Sequence, residues 1–126
     1  MLSNAMIAPT LPAVDLKRAR RFYEAVLGLK VVMEDPSPGI MIQCGKGTML
    51  YVYERAATKA DHTVASFAVD NIDAEVQELR KKGIKFEEYN MPGLKTEHGI
   101  ATVGGMKSAW FKDTEGNILS VAQLPK

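Results

Sequence analysis

Few side chains of this sequence have the chemistry for catalysis, and they are scattered along it. The two histidines are His62 and His98. His98 lies in the glycine-rich polar stretch from Asn90 to Lys107, close to Lys95 and Glu97. An imidazole in a loop over a cleft could serve as a general base at neutral pH. A solvated loop histidine is the plainer reading. His62 follows Lys59-Ala60-Asp61 and reads as linker surface. Glu54 and Arg55 close an apolar run and could pair with each other or reach the mouth of a cleft. The single thiol, Cys44, ends an apolar run before Gly45 and reads as a small packing residue rather than a nucleophile, and it excludes an intrachain disulfide. Against this sparse acid–base inventory stands a set of rings and hydroxyls: Tyr51, Tyr53, Ser66, Trp110 and Ser120. Rings stack on flat ligands and hydroxyls orient them, which is the chemistry of binding a small, partly apolar molecule. The bland alternative for the rings is packing or burial at a dimer contact. No Ser-His-Asp order, phosphate-cradling glycine loop or Cys-x-x-Cys pair is present.

The elements that would position these residues follow from periodicity. Residues 7–14 read as an extended segment in which Pro9 and Pro12 remove ladder donors, so the strand is an edge or starts irregularly. Asp15 reads as an N-cap. Leu16, Ala19, Tyr23, Val26 and Leu27 make a helical stripe that Gly28 stops. Val31–Glu34, Ile40–Cys44 and Thr48–Glu54 read as strands. The pattern then recurs: a strand over Thr63–Val69, a cap at Asp70 or Asn71, a stripe of Ile72, Val76 and Leu79, and a stop at Gly83. Strands over Lys85–Tyr89, Ser108–Lys112 and Asn117–Gln123 follow. Val14-Asp15 and Val69-Asp70 are 55 residues apart, as are Gly28 and Gly83. Gly47 and Leu50 match Gly116 and Leu119 at 69, and the extra 14 residues fall in the 90–107 loop.

An internal repeat constrains the whole fold. The predicted class is α+β: two tandem βαβββ modules, 6–57 and 62–124, in one domain over 6–124. Each helix can cover only one sheet face, so the modules are expected to curl a mixed sheet into a partial barrel with helices outside and a cleft inside. Alternation sends Leu50, Val52, Ala65, Phe67, Ala109, Phe111, Leu119 and Val121 toward the helices. It sends Met49, Tyr51, Tyr53, Ser66, Ala68, Trp110, Ile118, Ser120 and Ala122 toward the cleft. Residues 1–5 read as a tag or disordered terminus ahead of Met6.

Composition narrows the partners. The 126 residues are 46% hydrophobic and 25% charged with net charge +1, which gives no support to nucleic acid or an acidic membrane as partner. Lys17, Arg18, Arg20 and Arg21 cluster in sequence, but helical spacing spreads them over a solvated face. No apolar stretch approaches a membrane span, no basic-then-apolar leader opens the chain, and a cytoplasmic location is expected.

Three motifs in order resemble a known family. Asp15-Leu16, Phe22-Tyr23-Glu24 and Leu27-Gly28-Leu29 look like an opening "DL…FYe…LGl" helix. Val69-Asp70-Asn71-Ile72-Asp73 is similar to a second helix start, and Trp110–Asn117 resembles an "F-x-x-D-P-D-G-N" hairpin with Thr114 in place of proline. They resemble the vicinal oxygen chelate superfamily of glyoxalases, bleomycin resistance proteins and extradiol dioxygenases, over residues 7–124. The resemblance implies a divalent metal held by His, Glu or Gln at two positions in each half. Those positions fall on Ala8, Tyr51, Val64 and Ser120. A two-residue slip would offer His62 for Val64, and Thr10 or Met6 for Ala8. None of these sets is a usual ligand set. The chain therefore reads as a metal-less member without cofactor, nearer the bleomycin-resistance branch, with glyoxalase I and extradiol dioxygenase activity not expected.

The expected function is metal-independent binding of a small, partly aromatic or apolar molecule, with Tyr51, Tyr53, Ser66, Trp110 and Ser120 as contacts and a homodimer as the assembly. The alternative is a metal-independent lyase or isomerase using His98, Tyr51 or Glu54. A metal enzyme joining His62 with His98, and a protein-interaction module, stay open as further readings.

Overall fold

A computed structural model of the chain describes residues 1–125. They form two compact units, the first over Met1–Thr58 and the second from Lys59 onward. Each unit is a mixed sheet with a helix on one face, so the α+β class and the two modules stand. The sheets are separate, of four and six strands, and neither closes into a barrel.

The first unit contains β1 (Thr10–Ala13), α1 (Leu16–Arg21), β2 (Lys30–Asp35), β3 (Gly39–Gln43) and β4 (Met49–Glu54). Its strand order is β1-β4-β3-β2, with β1 parallel to β4 and the rest antiparallel. The proline-bearing β1 sits at the edge, where a missing N–H costs no ladder bond. Asp15 caps α1 by accepting the Arg18 N–H at 3.0 Å. The helix does not run on regularly to Gly28. It widens into a π turn over Phe22–Val26, where Leu27 N–H bonds the Phe22 carbonyl. Adjacent Phe22 and Tyr23 would point about 100° apart on an ordinary helix. The wider turn lets both enter the core, where their rings meet edge to face at 5.4 Å.

The second unit contains β5 (Thr63–Ala68), α2 (Ile72–Lys81), β6 (Asn90–Met91), β7 (Leu94–Glu97), β8 (Ile100–Val103), β9 (Met106–Lys112) and β10 (Ile118–Gln123). The order is β5-β10-β9-β8-β7-β6, with β5 parallel to β10. Asn71, not Asp70, caps α2 by accepting the Ala74 N–H, so the two caps are 56 residues apart while the glycine stops remain 55 apart. Gly83 leaves the helix at φ 93°, and Ile84 N–H returns to the Leu79 carbonyl.

Two expectations fail here. The segment 85–89 is not a strand: it makes an isolated bridge, Phe86 to Phe111, a bond from Glu87 N–H to the Trp110 carbonyl, and bonds between Tyr89 and Thr96 at its end. The segment 90–107 is not a loop but three short strands, β6 to β8, that extend the sheet. Its glycines supply left-handed turns between strands, His98-Gly99 and Gly104-Gly105, and hairpins need such turns as much as loops do. Residues 2–4 form a short exposed 3₁₀ turn.

Alternation decides the faces. In the first unit Leu11, Ala13, Ile40, Ile42, Leu50 and Val52 are buried on the α1 side with Ala19, Phe22 and Tyr23. In the second, Ala109, Phe111, Leu119 and Val121 join Ile72 and Val76 of α2. Among the described residues no helix is long and apolar enough to cross a membrane.

Candidate functional site

The face of the first sheet opposite α1 carries Tyr51 and Tyr53. Register places Met41 and Thr10 beside Tyr51, and Gly39 and Pro12 beside Tyr53, with Met33 and Asp35 next along β2. The tyrosine rings lie nearly parallel, 10° apart with centroids at 6.4 Å. Tyr51 reaches diagonally across Gly39 and donates its hydroxyl to Asp35 Oδ2 at 2.5 Å. The space is available because residue 39 lacks a side chain: a Cβ there would stand 2.0 Å from the Tyr51 oxygen. Asp35 also accepts the Ser37 N–H at 3.0 Å and the Ser37 hydroxyl. The Ser37 hydroxyl, then Tyr51, then the Ser37 amide hold the Asp35 carboxyl below its ordinary range. The bond to Asp35 pushes the Tyr51 phenol above its ordinary range, since ionising it would set two negative charges side by side. The face therefore presents a neutral phenol and an ionised carboxylate as one fixed pair.

Beside this face, toward the start of α1, lies a depression of about 400 Å³ lined by Lys17, Arg20, Glu34, Asp35 and Glu54. Arg20 is engaged there with Glu24 at 3.0 Å and with Glu34. Glu54 stands at this rim and is exposed.

In the second unit three expected residues share one row. Ser66 pairs with Ser120 across β5 and β10, and Ser120 pairs with Trp110 across β10 and β9. The two serine hydroxyls share a hydrogen bond. Ser120 is buried, Ser66 is exposed and Trp110 is half-buried. The Tyr89 ring meets the indole edge to face at 5.4 Å. Thr96, itself buried, anchors Tyr89: its hydroxyl accepts the Tyr89 N–H at 2.8 Å, and its own N–H bonds the Tyr89 carbonyl. Glu87 pairs with Lys112 at 3.4 Å on the flank of this row.

His98 is placed elsewhere. It occupies the β7–β8 turn at φ 52°, with its carbonyl accepting from Arg80 of α2 at 2.7 Å. It lines an exposed depression of about 780 Å³ with Arg80, Lys85, Phe86, Glu88 and Glu97. Phe86 in turn meets Phe111 edge to face at 5.7 Å, and the Phe111 side chain faces α2. The structure thus groups His98 with the end of α2 and not with the Trp110 row. His62 pairs with its neighbour Asp61 in an exposed segment. Burial raises the Cys44 thiol above its ordinary value, as befits a packing residue.

Sequence reasoning missed Asp35, Ser37, Gly39 and Tyr89. Residues 35–39 fall between the expected strands Val31–Glu34 and Ile40–Cys44 and read only as their connection. An Asp followed two residues later by Ser and four later by Gly was the available signal, because Asp readily bonds its own turn. Tyr89 was hidden by its assignment to a strand.

The four positions implied for a metal do not fit one. Ala8 and Val64 offer only methyl and isopropyl groups. The Tyr51 hydroxyl is committed to Asp35, and the Ser120 hydroxyl to Ser66. The residue across from Tyr51 is Thr10, and the one across from Ser120 is Ser66, so these registers add hydroxyls, and His62, two residues from Val64, pairs with Asp61 in an exposed segment. Among the described residues no group of three or more His, Cys, Asp and Glu could hold a metal ion.

Comparison with known proteins agrees with this architecture. No curated protein matches the chain in sequence. Among solved structures, it is similar to a lactoylglutathione lyase from Agrobacterium tumefaciens, with 26% identity, TM-score 0.65 and coverage of 95% of this chain and 93% of the other. It is similar to TnmS3, an antibiotic-binding protein from Streptomyces sp. CB03234, with 19% identity, TM-score 0.66 and 98% of each chain covered. It is also similar to the fosfomycin resistance protein FosX from Listeria monocytogenes, with 13% identity, TM-score 0.71 and coverage of 95% and 90%. At such identities the last two speak for the fold alone. The family model for the Glyoxalase/Bleomycin resistance protein/Dioxygenase superfamily matches residues 6–121, and the chain belongs to that superfamily.

Proposed function

We propose that this protein binds a small, flat, partly aromatic or apolar organic molecule without the help of a metal ion. The observation that carries the reading is the Tyr51–Tyr53 face: two near-parallel rings, one fixed by Asp35, on a sheet whose metal positions carry no metal-ligating side chains. A pre-positioned ring loses little freedom on binding, and its flat surface suits a flat partner. Trp110 with Ser66 and Ser120 forms a second contact row of the same character, an indole beside hydroxyls. Membership of a superfamily that includes bleomycin resistance proteins lends support to a binding role.

Thermal-shift screening of aromatic metabolites and antibiotics in the presence of EDTA tests this. Stabilisation by at least one flat aromatic compound is expected, and Tyr51→Ala should diminish it. A panel without any stabilising compound, or stabilisation that appears only when a divalent metal is restored, counts against the reading. The same reading includes a homodimer in solution, checked by sedimentation, and a cytoplasmic location, consistent with a chain of one cysteine and no disulfide.

A second reading, a metal-independent lyase or isomerase, draws on the Tyr51–Asp35 pair. The raised phenol makes Tyr51 a proton donor rather than a base at neutral pH. Turnover of a compound from the same panel that disappears in Tyr51→Phe, with binding retained, would favour this reading over simple binding.

A further inference from the structure

The chain has seven methionines, and none of them lies in either core. Methionine normally fills gaps inside a protein, so this distribution is unusual. Met1 and Met6 belong to the exposed N-terminal segment. The other five stand on the two sheet faces opposite the helices. Met33 pairs with Met41 across β2 and β3, and Met41 pairs with Tyr51 across β3 and β4. Met49 is two positions before Tyr51 on the same strand and shares its face. In the second unit Met106 alternates with Ser108 and Trp110 along β9. Met91 pairs with Leu94, which shares a face with Thr96. Met33 is 52% exposed, while Met41 and Met49 are half-buried.

Thioethers beside tyrosine rings form a soft, polarisable contact surface that adapts to the outline of an apolar ligand. They are also the side chains that mild oxidants convert from apolar to polar. Because the cores hold no methionine, oxidation here changes the surface and leaves the packing intact. We propose that Met33, Met41 and Met49 form an oxidation-sensitive ligand-contact surface: a peroxide converts their thioethers to sulfoxides and releases the ligand from a protein that stays folded. In each step the sulfur gives up an electron pair to one peroxide oxygen, the O–O bond breaks, and the other oxygen leaves as water or an alcohol. The proposal rests on the binding reading above and adds its regulation.

The test compares four forms of the full chain: untreated, treated with hydrogen peroxide, a variant carrying Met33→Leu, Met41→Leu and Met49→Leu, and a variant carrying Met91→Leu and Met106→Leu. Leucine keeps the volume and apolar character but cannot be oxidised. Acridine serves as the flat fluorescent probe, mass spectrometry counts oxygens per methionine, and circular dichroism follows melting. The expected result is acridine affinity about tenfold lower or worse after oxidation, with the melting temperature moved by no more than about 2 °C. Whatever affinity for acridine the variant with leucine at positions 33, 41 and 49 has before treatment, it should keep after it, because leucine cannot be oxidised. Unchanged affinity in a protein whose three methionines are oxidised would overturn the proposal while leaving the binding reading standing. So would collapse of the fold on oxidation, or protection by Met91→Leu with Met106→Leu instead. Failure of the untreated protein to bind acridine at all would remove the binding reading and this proposal together.

Discussion

The two sheets each contain a hairpin turned by an aspartate, and the two aspartates spend their oxygens differently. Asp35, the last residue of β2, accepts the N–H of the residue two positions on, Ser37. Asp113, between β9 and β10, does the same with Glu115 at 2.8 Å. The local turn is alike, as expected of a side chain that mimics a backbone carbonyl. Beyond it they diverge. Asp113 is buried and also takes both the N–H and the side-chain amide of Asn117, which is 1% exposed. Asp35 is half-buried, and its further partner is the Tyr51 hydroxyl on an open face. One aspartate closes a structural knot; the other orients a side chain that can meet a ligand. A shared bond from an aspartate to the amide two residues on is therefore no guide to role until the third partner is known.

Breaking the knot should have the largest effect. Asp113→Ala leaves the buried amides of Asn117 without their acceptor and should cost about 3 kcal/mol in urea unfolding. A loss below about 1 kcal/mol would mean that the two turns do not differ as described.

The next effect falls on the open face. Gly39→Ala forces a methyl group into the place of the Tyr51 hydroxyl, so the ring must leave Asp35. We expect about tenfold weaker binding of a flat aromatic ligand against a stability loss of only about 1 kcal/mol. Unchanged affinity would show that ring placement is irrelevant to binding. The helix caps provide an internal standard between the units. Asp15→Ala and Asn71→Ala should each cost about 1 kcal/mol in the same assay, since both accept one N–H of the first turn. A marked inequality would locate extra interactions at one cap.

The smallest effect is the pH dependence of the Asp35–Tyr51 pair. Asp35 is lowered in the folded state, so its contribution is present above the ordinary carboxylate value and fades as pH falls through the lowered one. Tyr51 is raised, so its contribution is complete below the ordinary phenol value and fades as pH rises through the raised one. Stability of the wild type relative to Tyr51→Phe should therefore be flat across neutral pH and decline at both extremes. A difference that grows toward alkaline pH would reverse the sign and refute the assignment.

Much of the fold was legible in the sequence because periodicity and punctuation agree. Gly28 and Gly83 both take the left-handed conformation that stops a helix, at φ 70° and 93°. The alternation of Leu50 with Tyr51 and of Ala109 with Trp110 predicted which side chains are buried and which stand on the other face. The π turn was illegible because the stripe from Leu16 to Leu27 fits an ordinary helix, and only the packing of Phe22 beside Tyr23 rewards a wider turn. The strands β6 to β8 were hidden because Gly93, Gly99, Gly104 and Gly105 interrupt the segment at short intervals, although glycine marks hairpin turns as readily as loops. Residue type and parity put Tyr51, Ser66, Trp110 and Ser120 on the faces opposite the helices, where the register places them. Asp35 and Gly39 were not, because their role depends on the diagonal reach of Tyr51, which no one-dimensional pattern encodes.

The proposed function requires aromatic side chains, without a metal ion, to hold a small organic molecule. Trp110 is the only tryptophan, so its fluorescence reports one row of the second sheet directly. Titration of EDTA-dialysed protein with the compound that most raises its melting temperature should give a saturable change in that emission, and the affinity should not alter when zinc, nickel or manganese is added. A change that appears only after a stoichiometric amount of metal is restored would contradict the account.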